Sequence, residues 1–183
     1  GPGPVDLAVL GVPAHRTSLS ATRADATPAA IREVLARYST YSWTNDVDVA
    51  ELAVRDLGDV TDPDGPEGEM RVGEAVRLAD ARVLIALGGD NSITYSVMQA
   101  RHVDLPAAGL ITLDAHHDLR DGASNGSPVR RLVEAGLPGT QIVQIGIADF
   151  SNSREYAARA RDLGITVITR DALRRRSIGD VMA

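Results

Sequence analysis

A chain of 183 residues with 44% hydrophobic content has enough apolar material for one domain with a sizeable core. Its net charge of −6 argues against a nucleic-acid partner, which needs clustered positive charge. The absence of cysteine excludes disulfides and thiolate chemistry, and no apolar run approaches the roughly 18 residues of a membrane span. With aromatics at 3%, the core must be built from Val, Ile, Leu and Ala. All 19 basic residues are arginine, and the runs Arg130-Arg131 and Arg174-Arg175-Arg176 read as solvated helix surface. The N-terminal Gly1-Pro2-Gly3-Pro4 has no charged region ahead of a long apolar stretch, reads as a cloning remnant, and leaves a soluble, cytoplasmic protein as the expectation.

Short apolar runs alternate with helical segments along the chain. Residues 5–11 predict a strand, and 27–38 a helix with Thr27 as N-cap, Pro28 in its first turn and Ile31, Val34, Leu35 and Tyr38 on one face. Residues 53–57 predict a weaker strand, 62–69 an exposed loop rich in Pro, Gly and acid, and the residues from there to about 79 a helix. A strand over 82–87 stops at Gly88-Gly89, and a helix over 92–101 follows. A strand over 109–113 leads into a polar loop over 114–125, and Ser127-Pro128 opens another helix. A strand over 141–147, a helix over about 153–163, a strand over 165–169 and a helix from Asp171 complete the pattern. The strands are near-continuous apolar runs, as expected of a parallel sheet buried on both faces. The alternation predicts one three-layer α/β/α domain with a mostly parallel sheet, spanning 1–183.

In such sheets ligands bind beyond the carboxyl ends of the strands. The polar loops after Leu87 and Leu113 are therefore where chemistry is sought. In Asp114-Ala115-His116-His117-Asp118, positions two apart share a side if the backbone stays extended, so Asp114, His116 and Asp118 converge. Two carboxylates with one imidazole suit Mn2+ or Zn2+, and the plainer reading is a solvated loop with a capping Asp. In Gly88-Gly89-Asp90-Asn91-Ser92, paired glycines permit a sharp turn and Asp90 or Ser92 caps the next helix. The G-x-G-x-x-G dinucleotide fingerprint is absent here, and a phosphate loop is excluded because the chain has no lysine. In the third stretch, 120–128, Arg120 and the backbone N–H groups near Ser127 are candidates for holding a carboxylate, against an ordinary loop and cap.

Together these segments resemble the ureohydrolase family of arginases and agmatinases, with its Gly-Gly-Asp-His, Asp-Ala-His-x-Asp and His-Gly segments in that order. Gly11-Val12-Pro13, Thr27-Pro28-Ala29-Ala30-Ile31-Arg32 and Asp56-Leu57-Gly58-Asp59 are also similar to it, so the resemblance covers most of 5–173. Asn91 and Asn125 stand where most members have His. Both substitutions, with Gln144-Ile145-Gly146-Ile147 and Phe150-Ser151-Asn152-Ser153, resemble the formimidoylglutamase branch.

The resemblance implies hydrolysis of N-formimidoyl-L-glutamate to glutamate and formamide, in histidine breakdown, with two Mn2+ ions. It implies that Asp114 bridges the ions, that His116 binds one and Asp118 the other, both with catalytic roles and Asp118 also orienting the bridging hydroxide, and that Asn91 is a weak ligand or supports one. It gives Arg120, Asn125 and Ser127 to the substrate's carboxylates. The family's later Ser-x-Asp-x-Asp-x-x-Asp-Pro segment is absent before Ala183. The chain is thus expected to be an N-terminal part, inactive alone, of a homo-oligomer acting on a small molecule. An agmatinase or guanidino-acid hydrolase is the near alternative, and an ion-depleted partner subunit the alternative from another class.

Overall fold

The computed structural model describes residues 4–182; Gly1 to Gly3, within the expected cloning remnant, and Ala183 lie outside the described residues. The elements in chain order are β1 (Val5–Val12), α1 (Thr27–Leu35), β2 (Tyr41–Ser42), β3 (Val47–Asp48), β4 (Val54–Asp59), α2 (Gly65–Leu78), β5 (Ala81–Gly88), α3 (Ile93–Arg101), β6 (Leu110–Leu113), α4 (Pro128–Glu134), β7 (Ile142–Ile147), α5 (Arg154–Asp162), β8 (Thr166–Thr169), α6 (Arg170–Leu173) and α7 (Ile178–Met182). The chain divides into two compact units, 1–101 and 102–183. The fold is α/β, with mostly parallel sheets and flanking helices.

In the first unit a parallel sheet runs β4-β1-β5. Leu10 and Val12 of β1 join Val60, Val72 and Val76 in a core completed by Leu57, Leu84, Ile93, Val97 and Ala100, so α2 and α3 cover one sheet face. Val83 and Ile85 of β5 are exposed. The apolar run of β5 predicted burial on both faces, but among the described residues these two side chains, which alternate with Leu84, are left uncovered.

In the second unit the parallel order is β6-β7-β8. β7 is the central strand, and Ile142, Gln144, Ile145 and Ile147 are all buried. Leu119, Val129, Leu132, Leu137 and Ala160 supply further buried surface.

Several boundaries differ from the sequence expectation for local reasons. Thr27 does not cap α1: a short 3-10 turn over Ala24–Ala26 feeds directly into it, and Thr27 is already helical. α1 ends at Leu35 rather than at Tyr38, and Val34, Leu35 and Tyr38 of the expected apolar face are exposed. The loop at 62–69 is shorter than its composition implied, because α2 begins at Gly65 with Pro66 in its first turn. The small hairpin of β2 and β3 went unforeseen; two-residue strands carry no readable period. The final helix is split into α6, capped by Thr169, and α7.

Candidate metal centre and its supporting loops

In the first unit the loops after β1 and β5 are tied together. Gly89 N–H donates to Val12 O at 2.9 Å and Asp90 N–H to Ala14 O at 2.8 Å. A Cβ on Gly89 would sit 2.1 Å from the Ala14 carbonyl oxygen. The glycine thus serves close backbone approach rather than the sharp turn expected of the pair. Asp90 accepts from Ser92 N–H at 3.0 Å and from the hydroxyls of Ser92 and Ser18, which makes it a brace. Asn91 accepts the Thr94 hydroxyl on Oδ1 at 2.7 Å, tying its side chain to the start of α3.

The same unit carries a charge cluster on its edge strand β4. Arg32 of α1 donates to both oxygens of Asp56, to Asp59 Oδ1 and to Gly58 O. These bonds raise the Arg32 pKa and hold the Asp56 carboxyl below its ordinary value. His15 and Arg16 donate their backbone N–H groups to Asp64 Oδ1, at 3.0 and 2.8 Å. That carboxylate therefore holds the loop after β1 and makes no side-chain cap on α2.

In the second unit β6 ends at Leu113, and the backbone bends at Ala115 and His116. Asp114 Oδ1 accepts from His116 N–H at 2.8 Å and lies 3.1 Å from His116 Nδ1. Both side chains reach solvent, at 32% and 59% exposure. Asp118 does not join them as the alternation argument required. It is buried and takes a left-handed backbone with φ +53°, so the extended geometry that argument assumed is lost within the loop. Among the described residues, no three His, Asp or Glu side chains gather closely enough to hold an ion.

The Asp114–His116 pair itself suits a divalent ion. A hard carboxylate and an imidazole stand side by side beyond a parallel strand. Their mutual contact holds Asp114 Oδ1 3.1 Å from His116 Nδ1, and both side chains remain open to solvent.

The stretch after this pair is held by arginines. Arg130 Nε donates to Arg120 O at 2.6 Å, and its guanidinium also reaches Gly122 O. Arg159 donates to Leu119 O at 2.7 Å and to Asp121 at 2.9 Å, which lowers the Asp121 pKa and raises that of Arg159. Arg120 is exposed, and its guanidinium carbon lies 5.8 Å from the Tyr156 ring centroid. Ser127, expected to face substrate, is fully buried. Its hydroxyl donates to Ser124 O and accepts from Ser124 N–H, both at 2.9 Å. The amides near it are also engaged: Ser127 N–H donates to Ser124 O and Arg130 N–H to Asp118 O, each at 3.2 Å. Ser127 is thus part of the loop frame, and α4, with seven residues, offers no open carboxylate cradle there. Asn125 lies in the same stretch and is half-buried.

Comparison with known proteins fits this geometry. Residues 5–183 match the arginase family. The chain belongs to the arginase family. It is 40% identical over 172 residues to a formimidoylglutamase of Halalkalibacterium halodurans, covering 88% of this chain and 54% of the relative. The crystal structure of a Bacillus subtilis formimidoylglutamase superposes with a TM-score of 0.90 at 31% identity, over 100% of this chain and 60% of that one. A Trypanosoma cruzi formiminoglutamase solved with Mn2+ shares the fold at 24% identity and a TM-score of 0.87, over 97% of this chain and 64% of that one. The chain therefore spans little more than half the length of the relatives it matches.

Proposed function

We propose that this arginase-family chain forms part of a manganese-dependent hydrolase that cleaves a C–N bond of a linear amidine, converting N-formimidoyl-L-glutamate to L-glutamate and formamide. The observation that carries the reading is the Asp114–His116 pair, a carboxylate and an imidazole 3.1 Å apart on a braced loop beyond β6. The formimidoylglutamase relatives and the Mn2+ in one structure of the same fold support it.

Paired divalent ions supply a polarised substrate and water made acidic near neutral pH. This chain's own residues hold and orient. Asp114 and His116 are the ligands, with Asp114 also fixing the imidazole through the backbone N–H it accepts. Arg120, kept over Tyr156, offers a planar cation to one carboxylate of a diacid substrate. Agmatine has no carboxylate to use it.

The test is an assay of the whole protein with Mn2+ for formamide release from N-formimidoyl-L-glutamate, beside urea release from agmatine and arginine. Formamide alone is the expected result. Urea would keep the family and move the substrate, and no turnover with metal present would favour a non-catalytic subunit.

A further inference from the structure

Behind the loop that carries Asp114 and His116 sit two side-chain amides. Gln144, on the central strand β7, is fully buried. A buried amide costs stability unless its hydrogen bonds are met, and an aliphatic residue would fill this strand position without that cost. Gln144 meets them on one residue. Its Nε2 donates to His117 O at 2.9 Å, and its Oε1 lies 2.7 Å from His117 Nδ1. The carbonyl accepts only, so the amide orientation is fixed, and the ring must carry its hydrogen on Nδ1 to donate to Oε1.

Asn152 works in the same reciprocal manner from the segment before α5. Its Oδ1 accepts from His117 N–H and its Nδ2 donates to Ala115 O, both at 2.9 Å. The backbone adds Asp114 N–H to Ile145 O and Ala148 N–H to Ala115 O, each at 3.1 Å. Gly146, at φ +99°, lets β7 bulge past Asp114 O, which a Cβ there would meet at 3.4 Å. Residues 115 and 117 are therefore pinned on both sides of His116, whose own side chain makes its contact with Asp114 alone among these bonds.

We infer that Gln144 and Asn152 are positioning residues that clamp Ala115 and His117 and thereby set His116 against Asp114 for metal binding. The inference rests on the metal reading above. Neither amide touches substrate or ion; each acts through the loop. Losing such supporting partners typically weakens metal binding about 10–100-fold.

The experiment is an Mn2+ titration of the whole protein followed by electron paramagnetic resonance of the free ion, with melting of the metal-free form recorded beside it. Asn152→Ala and Gln144→Glu are expected to raise the Mn2+ Kd about 10-fold or more while the metal-free protein still melts cooperatively. Asn152→Asp keeps the acceptor for His117 N–H and loses the donor to Ala115 O, so its Kd is expected between wild type and Asn152→Ala. It also serves if the alanine variant does not fold. Lower melting temperatures with Kd values within twofold of wild type would overturn the clamp and leave the amides as ordinary structural residues. A wild-type protein that binds no Mn2+ would instead remove the metal reading itself.

Discussion

At the residue scale, function turns on what each polar side chain is already committed to. Asp90 and Ser127 are spent on bracing loops, whereas Asp114, His116 and Arg120 present polar atoms outward. For Arg120→Ala in the whole protein, the account expects KM for N-formimidoyl-L-glutamate to rise about 10-fold or more, the worth of a charge-assisted hydrogen bond, with kcat changed less. An unchanged KM would refute the carboxylate role. The Arg32–Asp56 contact gives a pH prediction. Hydrogen bonding from Arg32 first, then from Gly58 N–H, holds the Asp56 carboxyl below its ordinary 3.8. Its stabilising contribution is thus complete above about that pH and is lost as pH falls toward the depressed folded value. Urea denaturation of Asp56→Asn beside wild type should show a stability gap at pH 6 that narrows below about pH 4. A gap that widened on acidification would contradict the assignment.

At the element scale, caps and close approaches decide where helices and strands end. Ser153 caps α5 by accepting Tyr156 N–H at 3.2 Å. Ser153→Ala should cost about 1 kcal/mol, read as a lower urea midpoint with unchanged slope. Most elements were legible because apolar strands and Pro-opened helices declare themselves locally: β1, β5, β7 and α5 lie within two residues of expectation. What was not legible depended on partners distant in sequence. The loop after Leu113 leaves the extended form because Arg130, Arg159, Gln144 and Asn152 hold its backbone, so alternation did not carry Asp118 to His116. One signal of this loop's hold is local: a glutamine inside the apolar run Ile142-Val143-Gln144-Ile145 is a buried amide, which must have a partner.

At the scale of the whole molecule, among the described residues no helix is long and apolar enough to cross a membrane. Apolar surface is nonetheless exposed on strands of both units, at Val83 and Ile85 of β5 and at Ile111 and Leu113 of β6. Uncovered sheet faces of this kind bind other apolar surfaces. The 183-residue chain by itself is expected to enhance the fluorescence of an apolar dye, and Val83→Ser with Ile85→Ser to reduce that signal. No enhancement would mean that these faces are covered in solution.

The proposed hydrolase requires the loop after β6 to hold a catalytic metal ion. Anomalous diffraction at the manganese absorption edge, from crystals of the whole protein grown with Mn2+, locates that ion. An anomalous peak within bonding distance of Asp114 and His116 is the expected result. A fully occupied manganese peak elsewhere, with none at this pair, would contradict it.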